Sequence, residues 1–171
     1  KLDLVTLGDG LRVLLGLGDG SFGPATTSPV GVGAMSLASG DFNNDGELDF
    51  ATANYGANNL SILLGNGLGG FSVAPSVPVT GQTPFVAAGD FNNDGKTDLI
   101  ASRRFQNDLM PFVGDGGGNF TFVAGTLIPL GIAAPHAIAV NDFNGDGQAD
   151  LAVTTRNPFN HTINSVTVLL G

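Results

Sequence analysis

Three segments of the chain repeat one pattern of acidic, amide and glycine residues, D-x-N-x-D-G-x-x-D, at 41–49, 90–98 and 142–150. Positions 1, 3, 5 and 9 carry side-chain oxygens, and the glycine at position 6 permits a sharp turn. A calcium ion takes roughly six to eight hard oxygen ligands, which a tight loop supplies from alternate positions, position 7 through its backbone carbonyl. We therefore predict one Ca²⁺ per loop. The expected ligands are Asp41, Asn43, Asp45, Glu47, Asp49, Asp90, Asn92, Asp94, Lys96, Asp98, Asp142, Asn144, Asp146, Gln148 and Asp150.

The residues that follow each loop distinguish the pattern from an EF-hand. Segments 48–53, 97–102 and 149–154 are short apolar or β-branched runs, which are typical of strands and not of helices. Position 12 is not glutamate in any of the loops. The ion is therefore expected in a β-hairpin. The alternative is that these segments are Asx-rich turns that only resemble metal loops.

The charge of the chain is concentrated in these loops. The net charge is −9, and nine of the fifteen acidic residues are the patterned Asp residues, while the other six equal the six Lys and Arg in number. This distribution favours bound calcium and argues against a nucleic-acid partner, which requires a basic surface. No run of eighteen apolar residues occurs, so we predict no membrane span.

A second landmark gives the length of the repeat. Apolar runs that end in glycine occur at 14–16, 63–65, 112–114 and 169–171, at steps of 49, 49 and 57 residues. A period near 50 residues with about four short strands is typical of a β-propeller blade, or of another repeat array in which each unit buries its faces on its neighbours. If the strands of one unit are named A to D, with the acidic loop between A and B, the strand order along the chain is BCD, ABCD, ABCD, ABC.

We predict an all-β fold of tandem four-stranded blades of the β-propeller type, about 3.5 units in one repeat domain. The units are a partial blade at 1–31, blades at 32–80 and 81–131, and a partial blade at 132–171. Asp3 stands in the place of a ninth loop position, and strand D of the third unit is expected at 120–128. Open strand edges pair readily with another chain. The incomplete terminal units therefore predict either a fragment of a longer propeller or self-association of copies.

The segments 40–56 (GDFNNDGELDFATANYG) and 60–67 (LSILLGNG) resemble the FG-GAP and VCBS-type repeats of secreted and cell-surface proteins. The resemblance extends over essentially the whole chain. It implies a β-propeller with a Ca²⁺ ion in the A–B hairpin of each blade, as in the head of integrin alpha chains. It also implies an extracellular or cell-surface location and a role in adhesion, ligand recognition or support of other domains.

The connections between strands B and C are the variable part of the repeat, and antiparallel blades place them on the face opposite the acidic loops. Three of the six basic residues lie in these connections among aromatic residues, a combination that suits carboxylates, sugars or a protein partner. The candidate ligand-binding residues are Tyr55, Arg103, Arg104, Phe105, Arg156 and Phe159. The alternative is that they are ordinary exposed loop residues. His136 is expected on the same face, in a structural role.

Three tripeptides match the N-glycosylation pattern, and each lies at a loop or at the start of a strand. Their acceptor residues are Asn59, Asn119 and Asn160. One or two such matches are expected by chance in a chain with this much Asn, Ser and Thr. We therefore treat these residues as candidate glycosylation sites only.

Two functional hypotheses follow, and neither involves catalysis. The chain has two His, no Cys and no recognisable nucleophile, and its paired carboxylates belong to the ion loops. The first hypothesis is an extracellular calcium-binding repeat protein for structural or adhesive assembly, which joins copies edge to edge in a closed oligomer or a filament. The second is a module that recognises a glycan or a protein through the B–C loops.

Overall fold

A computed structural model describes residues 1–131, 134–157 and 163–171. This part of the chain consists of β-strands and turns, and it contains no helix long and apolar enough to cross a membrane. The strands are β1 (Leu4–Leu7), β2 (Leu11–Leu14), β3 (Thr26–Ser28), β4 (Ala34–Gly40), β5 (Asp49–Asn54), β6 (Asn59–Gly65), β7 (Phe71–Val73), β8 (Val77–Pro78), β9 (Val86–Gly89), β10 (Asp98–Arg103), β11 (Asp108–Gly114), β12 (Phe120–Phe122), β13 (Ile128–Pro129), β14 (Ala134–Asn141), β15 (Asp150–Arg156) and β16 (Ile163–Leu169).

The strands form antiparallel sheets that follow one another along the chain. Blade 1 has the order β1-β2-β3, blade 2 has β4-β5-β6-β7, blade 3 has β9-β10-β11-β12, and blade 4 has β14-β15-β16. The short strands β8 and β13 pair with β6 and β11. The structure therefore confirms the all-β fold of propeller-type blades and the order BCD, ABCD, ABCD, ABC.

Strand D differs from the expectation, because it is split in both complete blades. In blade 3 the strand predicted at 120–128 is interrupted between β12 and β13, where Thr126 donates its N–H to the carbonyl of Val123 in a turn. In blade 2 the interruption includes Pro75, which has no N–H to give to a strand ladder. Each half of strand D pairs with a different end of strand C.

Packing between blades uses opposite faces of neighbouring sheets. On one face of blade 2, cross-strand pairing sets Ala51 beside Ile62 and Ala53 beside Leu60. This face packs against blade 3 through a cluster that includes Leu99, Ala101, Met110 and Phe112. Small residues of β5 thus lie beside large residues of β6 on the face that blade 3 covers.

The same arrangement joins the other neighbouring blades. Leu11 and Val13 of blade 1 pack with Phe50 and Leu63 of blade 2. Ile100 and Leu109 of blade 3 form a third cluster, whose blade 4 members are Leu151 and Val153. Blades 1, 2 and 3 thus each bury an apolar face on the next blade along the chain, as in other repeat proteins.

Blade 4 has a second apolar face that is exposed in this chain. In blade 4, Val166 and Val168 of strand C pair with Thr154 and Ala152 of strand B. In blade 2, Leu60 and Ile62 pair with Ala53 and Ala51, which stand at the same positions of strand B. Leu60 and Ile62 are fully buried by blade 3, whereas Val166 and Val168 are 62% and 51% exposed. The outer face of blade 4 therefore has the character of an interface between blades.

Candidate functional site

Side-chain hydrogen bonds to the local backbone hold each acidic loop in shape. In the first loop the carboxylate of Asp41 accepts the N–H groups of Asp45 (3.2 Å) and Gly46 (2.9 Å). The side-chain oxygen of Asn43 accepts the Asp45 N–H at 3.1 Å, and Asp45 accepts the Glu47 N–H at 2.8 Å. Such Asx bonds replace the ladder bonds that a strand would make. They place the oxygens of positions 1, 3 and 5 within one turn of chain.

The other two loops repeat this bonding. Asp90 accepts the N–H groups of Asp94 at 3.1 Å and Gly95 at 2.9 Å. Asp142 accepts those of Asp146 at 3.2 Å and Gly147 at 2.8 Å, which lowers the pKa of the exposed Asp142 carboxyl, Gly147 being the main cause. The three loops therefore share one pattern of side-chain to backbone hydrogen bonds.

Position 4 is a structural requirement that the sequence pattern did not include. Asn44, Asn93 and Gly145 stand there with φ values of 58°, 59° and 82°. Asn and Gly are the residues that adopt this left-handed conformation most readily. The signal was present in the sequence, because an Asn or Gly follows the Asn of position 3 in each loop.

The last Asp of each loop connects the loop to strand C. The buried carboxylate of Asp49 accepts the N–H of Phe42 with one oxygen and the N–H of Gly65 with the other, both at 2.7 Å. Asp98 makes the same pair of bonds in blade 3, to residues 91 and 114, and Asp150 makes them in blade 4, to residues 143 and 171. Asp3 likewise accepts the N–H of Gly16 at 2.8 Å. We call this arrangement the aspartate clamp.

The clamp explains why strand C ends in glycine. A Cβ atom on Gly65 would collide with the backbone carbonyl of Leu48, and one on Gly114 would collide with that of Thr97. The glycine lets the two backbone segments approach until its N–H reaches the carboxylate. The apolar-apolar-glycine landmark of the sequence is therefore a requirement of the clamp.

Burial has an electrostatic cost in the clamp. Burial raises the pKa of the Asp49 carboxyl, and the N–H bonds from Gly65 and Phe42 only partly oppose this effect. Burial also raises the pKa of the Asp98 carboxyl, and the N–H bonds from Gly114 and Phe91 only partly oppose this effect. The nearby loop carboxylates also raise both pKa values. A cation beside the loop would stabilise the ionised carboxylates.

The side-chain oxygens of each loop are suitable ligands for a hard cation. Asp41, Asn43 and Asp45 present carboxylate and amide oxygens, which are the ligands that calcium prefers. Lys96, at position 7 of the second loop, has its ammonium 4.0 Å from Asp94 and could contribute only its backbone carbonyl to an ion. In the described residues, no group of three or more His, Cys, Asp or Glu is arranged around one point. In each loop position 3 is Asn, and the two oxygens of the position 9 carboxylate accept backbone N–H groups.

Arg103 differs from the other candidate ligand residues that the structure describes, because it is buried. Its Nε donates to Asp108 Oδ1 at 2.7 Å, its Nη2 pairs with Asp108 Oδ2, and its Nη1 donates to Thr80 Oγ1 at 2.8 Å. Arg103 and Asp108 are also cross-strand partners at the end of the β10–β11 hairpin. The guanidinium therefore holds the B–C turn together and lies away from the exposed loop surface.

A cavity of about 380 Å³ lies on the face that carries the B–C loops, where blades 3 and 4 meet and blade 2 contributes Met35. Arg104 and Phe105 line it, with the Arg104 Cζ 5.8 Å from the centre of the Phe105 ring. Its other lining residues are Met35, Pro84, Phe85, Asn107, Ala134, Pro135, His136, Arg156 and Asn157. We call it the loop-face cavity. The structure thus brings Arg104, Phe105 and Arg156 together, whereas half-buried Tyr55 does not line this cavity.

His136 enters the loop-face cavity because of a β-bulge. The register of β14 against β15 shifts between Pro135 and Ala137, which makes His136 the extra residue. A bulge redirects the side chain of the extra residue, and the His136 ring lies 5.9 Å from that of Phe85. Met35 is the extra residue of a corresponding shift in blade 2. Simple alternation of residues along a strand does not reveal such a bulge.

The remaining candidates are one ligand-binding residue and the three glycosylation acceptors. Phe159 and Asn160 lie outside the described residues. Asn59 is half-buried, and its side-chain oxygen accepts a hydrogen bond from Asn54 at 2.7 Å. Asn119 is exposed and donates its amide N–H to Asp115 at 2.9 Å. Glycosylation at these positions stays a prediction.

Four successive antiparallel blades, with an acidic loop between strands A and B in three of them, define a repeat protein of the β-propeller type. The chain belongs to the FG-GAP-like repeat family, whose pattern matches residues 1–52, 41–101 and 90–153. This family assignment confirms the resemblance seen in the sequence. A comparison with curated protein sequences gave no match.

Solved structures confirm the fold. An Agrocybe aegerita lectin, described as specifically recognising non-reducing terminal N-acetylglucosamine, superimposes with a TM-score of 0.59 at 19% identity, over 98% of this chain and 48% of the lectin. A putative 6-phosphogluconolactonase from Bacteroides uniformis matches with a TM-score of 0.56 at 16% identity, over 99% and 55%. BBS1N, solved in complex with ARL6DN, matches with a TM-score of 0.54 at 12% identity, over 98% of this chain and 49% of BBS1N. The chain therefore spans about half the length of each of these proteins.

The aspartate clamp generates a testable prediction. Asp49→Ala leaves the N–H groups of Phe42 and Gly65 without their partner, and an unpaired buried N–H costs about 1–3 kcal/mol. We expect the free energy of unfolding to fall by about 2 kcal/mol or more, measured by urea unfolding in EDTA so that bound cations do not contribute. The control is Asp45→Ala in the exposed part of the same loop, for which we expect a smaller loss. Equal losses in the two variants would contradict the clamp.

Proposed function

We propose that the chain is a non-catalytic, extracellular recognition module whose blades are stiffened by calcium and whose loop face binds a glycan or protein ligand. The observation that carries this proposal is the loop-face cavity, which combines Arg104 and Arg156 with Phe85 and Phe105. Ligand sites are usually concave and mostly apolar with a few convergent polar groups. Loops on a rigid scaffold are the common location for them.

The comparisons support this class of function by analogy. One protein of the same fold is a lectin that recognises N-acetylglucosamine, and another was solved in complex with a protein. At 19% and 12% identity these likenesses concern the fold, and function depends on the local site. The loop-face cavity offers a concave site with charged and apolar lining in the part of the chain that the structure describes.

Calcium has a structural role in this proposal. The ions would be held by the Asp, Asn and carbonyl oxygens of loops 41–49, 90–98 and 142–150, on the face opposite the ligand. There they would balance carboxylates that burial makes costly to ionise, as at Asp49 and Asp98. The carboxylates would therefore serve the fold, and none is assigned to acid or base chemistry.

The calcium proposal predicts a metal-dependent melting temperature. An ion that binds only the folded state adds about 2.7 kcal/mol per site at a hundredfold excess over its Kd. We expect EDTA to lower the melting temperature of the wild-type chain, measured by circular dichroism. Replacing Asp45, Asp94 and Asp146 together by Ala should abolish the difference between calcium and EDTA. Asp19→Ala, an exposed Asp outside the loops, should preserve it. A wild-type melting temperature that EDTA leaves unchanged would disprove the proposal.

The recognition proposal predicts a ligand that depends on Phe105. We expect wild-type protein in calcium to bind members of a glycan array or an extracellular protein panel. Phe105 is 67% exposed at the cavity, so Phe105→Ala should weaken that binding by more than about 1 kcal/mol without unfolding the chain. Phe22→Ala is the matched control, because Phe22 is 45% exposed in blade 1. Binding that both variants reduce equally, or no binding by the wild type, would count against this function.

A second candidate function is assembly of copies, which the outer face of blade 4 favours. Val166 and Val168 are exposed at positions where blade 2 buries Leu60 and Ile62 against its neighbour. An apolar face of this kind can receive a blade from another copy. Blade 1 of a second copy would offer the outer face that carries Leu4, which is 43% exposed.

The assembly hypothesis predicts an oligomer that depends on this face. We expect light scattering in millimolar calcium to give a mass above that of one chain, and Val166→Lys with Val168→Lys to return it to one chain. Val73→Lys serves as the control, because Val73 is 55% exposed on β7 of blade 2. A wild-type mass equal to one chain, or an oligomer that persists in the Val166 and Val168 variant, would rule out this interface.

A further inference from the structure

The charge of the loop-face cavity is opposite to that of the whole chain. The net charge of the protein is −9, yet the cavity is lined by two cationic side chains, those of Arg104 and Arg156. No Asp or Glu occurs among the lining residues that the structure describes. We propose that the loop-face cavity binds the carboxylate of an acidic sugar, with Arg104 and Arg156 as its anchors. This inference rests on the recognition function proposed above.

The two arginines occupy equivalent positions in neighbouring blades. Arg104 is the sixth residue after Asp98, the last residue of its loop, and Arg156 is the sixth after Asp150. The corresponding residues are Tyr55 in blade 2 and Asp9 in blade 1. Blades 3 and 4 thus place a cation at the same point of the repeat, and the cavity lies at their junction. Arg104 and Arg156 therefore both belong to the loop-face cavity.

The geometry of Arg104 suits a carboxylate. Its guanidinium lies over the Phe105 ring, with Cζ 5.8 Å from the ring centre. A guanidinium in such a cation–π contact still presents N–H groups that match the two oxygens of a carboxylate. Arg103, the preceding residue, already forms such a two-pronged pair with Asp108 in this hairpin. Arg103 is buried by that pair, so Arg104 is the arginine of the turn that lines the cavity.

The other lining residues favour a sugar over a simple anion. Phe105 and Met35 are 67% and 55% exposed and offer apolar surface to a ring. The amides of Asn107 and Asn157 line the same cavity, and amides both donate to and accept from hydroxyl groups. The volume of about 380 Å³ is near the lower end of the range for small-ligand sites, roughly 300–1,000 Å³. These properties fit the acidic end of a sugar chain.

The test compares glucuronate with its neutral amide, glucuronamide, by isothermal titration calorimetry in calcium. We expect the wild-type chain to bind glucuronate at least about tenfold more tightly, because hydrogen bonds to a charged group are the stronger ones. Arg104→Gln and Arg156→Gln should each remove most of this preference. Arg104→Tyr, which introduces the residue that blade 2 carries at this position, should do the same. Arg12→Gln is the control, because Arg12 is an exposed arginine of blade 1.

The outcomes separate this inference from the proposed function. Equal binding of glucuronate and glucuronamide, or binding of neutral glycans alone, would overturn the carboxylate site and leave recognition standing. Binding of acidic peptides, and not of acidic sugars, in a manner sensitive to Arg104 would overturn the sugar assignment. If neither sugars nor proteins bind the wild-type chain, the recognition function itself fails. Melting curves in calcium show whether each variant is folded, and Arg104→Gln alone decides the question if Arg156→Gln unfolds.

Discussion

The aspartate clamp is the interaction on which the rest of the structure depends. One buried carboxylate, such as that of Asp49, accepts an N–H from the start of the acidic loop and another from the end of strand C. It therefore fixes three strands of a blade relative to one another at a single point. The bonds are strong because the acceptor is charged, and they offset part of the cost of burying that charge. The repeated glycine at the end of strand C follows from the same contact.

Because the clamp recurs in blades 2, 3 and 4, and its bond to strand C recurs in blade 1, the blades stack through equivalent faces. Ala51 and Ile62 meet on one face of blade 2, and Leu99 and Phe112 of blade 3 pack against that face. The clamp acts at one end of the strands, and the B–C turns lie at the other end. Those turns are therefore free to change in sequence without disturbing the loops. Arg103 shows that a turn can also acquire its own support, through its pair with Asp108.

Much of this architecture could be predicted from the sequence, because its signals are local and repeated. The oxygen pattern located the A–B loops, and the apolar-apolar-glycine runs located the ends of strand C. The interruption of strand D, the bulge at His136 and the burial of Arg103 were not predicted. Each of these depends on a partner strand or on a residue elsewhere in the chain, such as Thr80 for Arg103. Periodicity along one strand carries no information about such contacts.

The loop-face cavity shows how a repeat scaffold produces a specific site. The position six residues after the clamp aspartate lies at the end of strand B or just beyond it in each unit, and it carries Asp9, Tyr55, Arg104 and Arg156 in turn. Among the four units, blades 3 and 4 carry a cation at this position, so the chemistry of the loop face changes along the array. The bulge at His136 adds a third side chain to the same place. Specificity in such a scaffold therefore depends on which neighbouring blades carry matching residues, and the cavity between them can keep its shape only while both blades keep their packing.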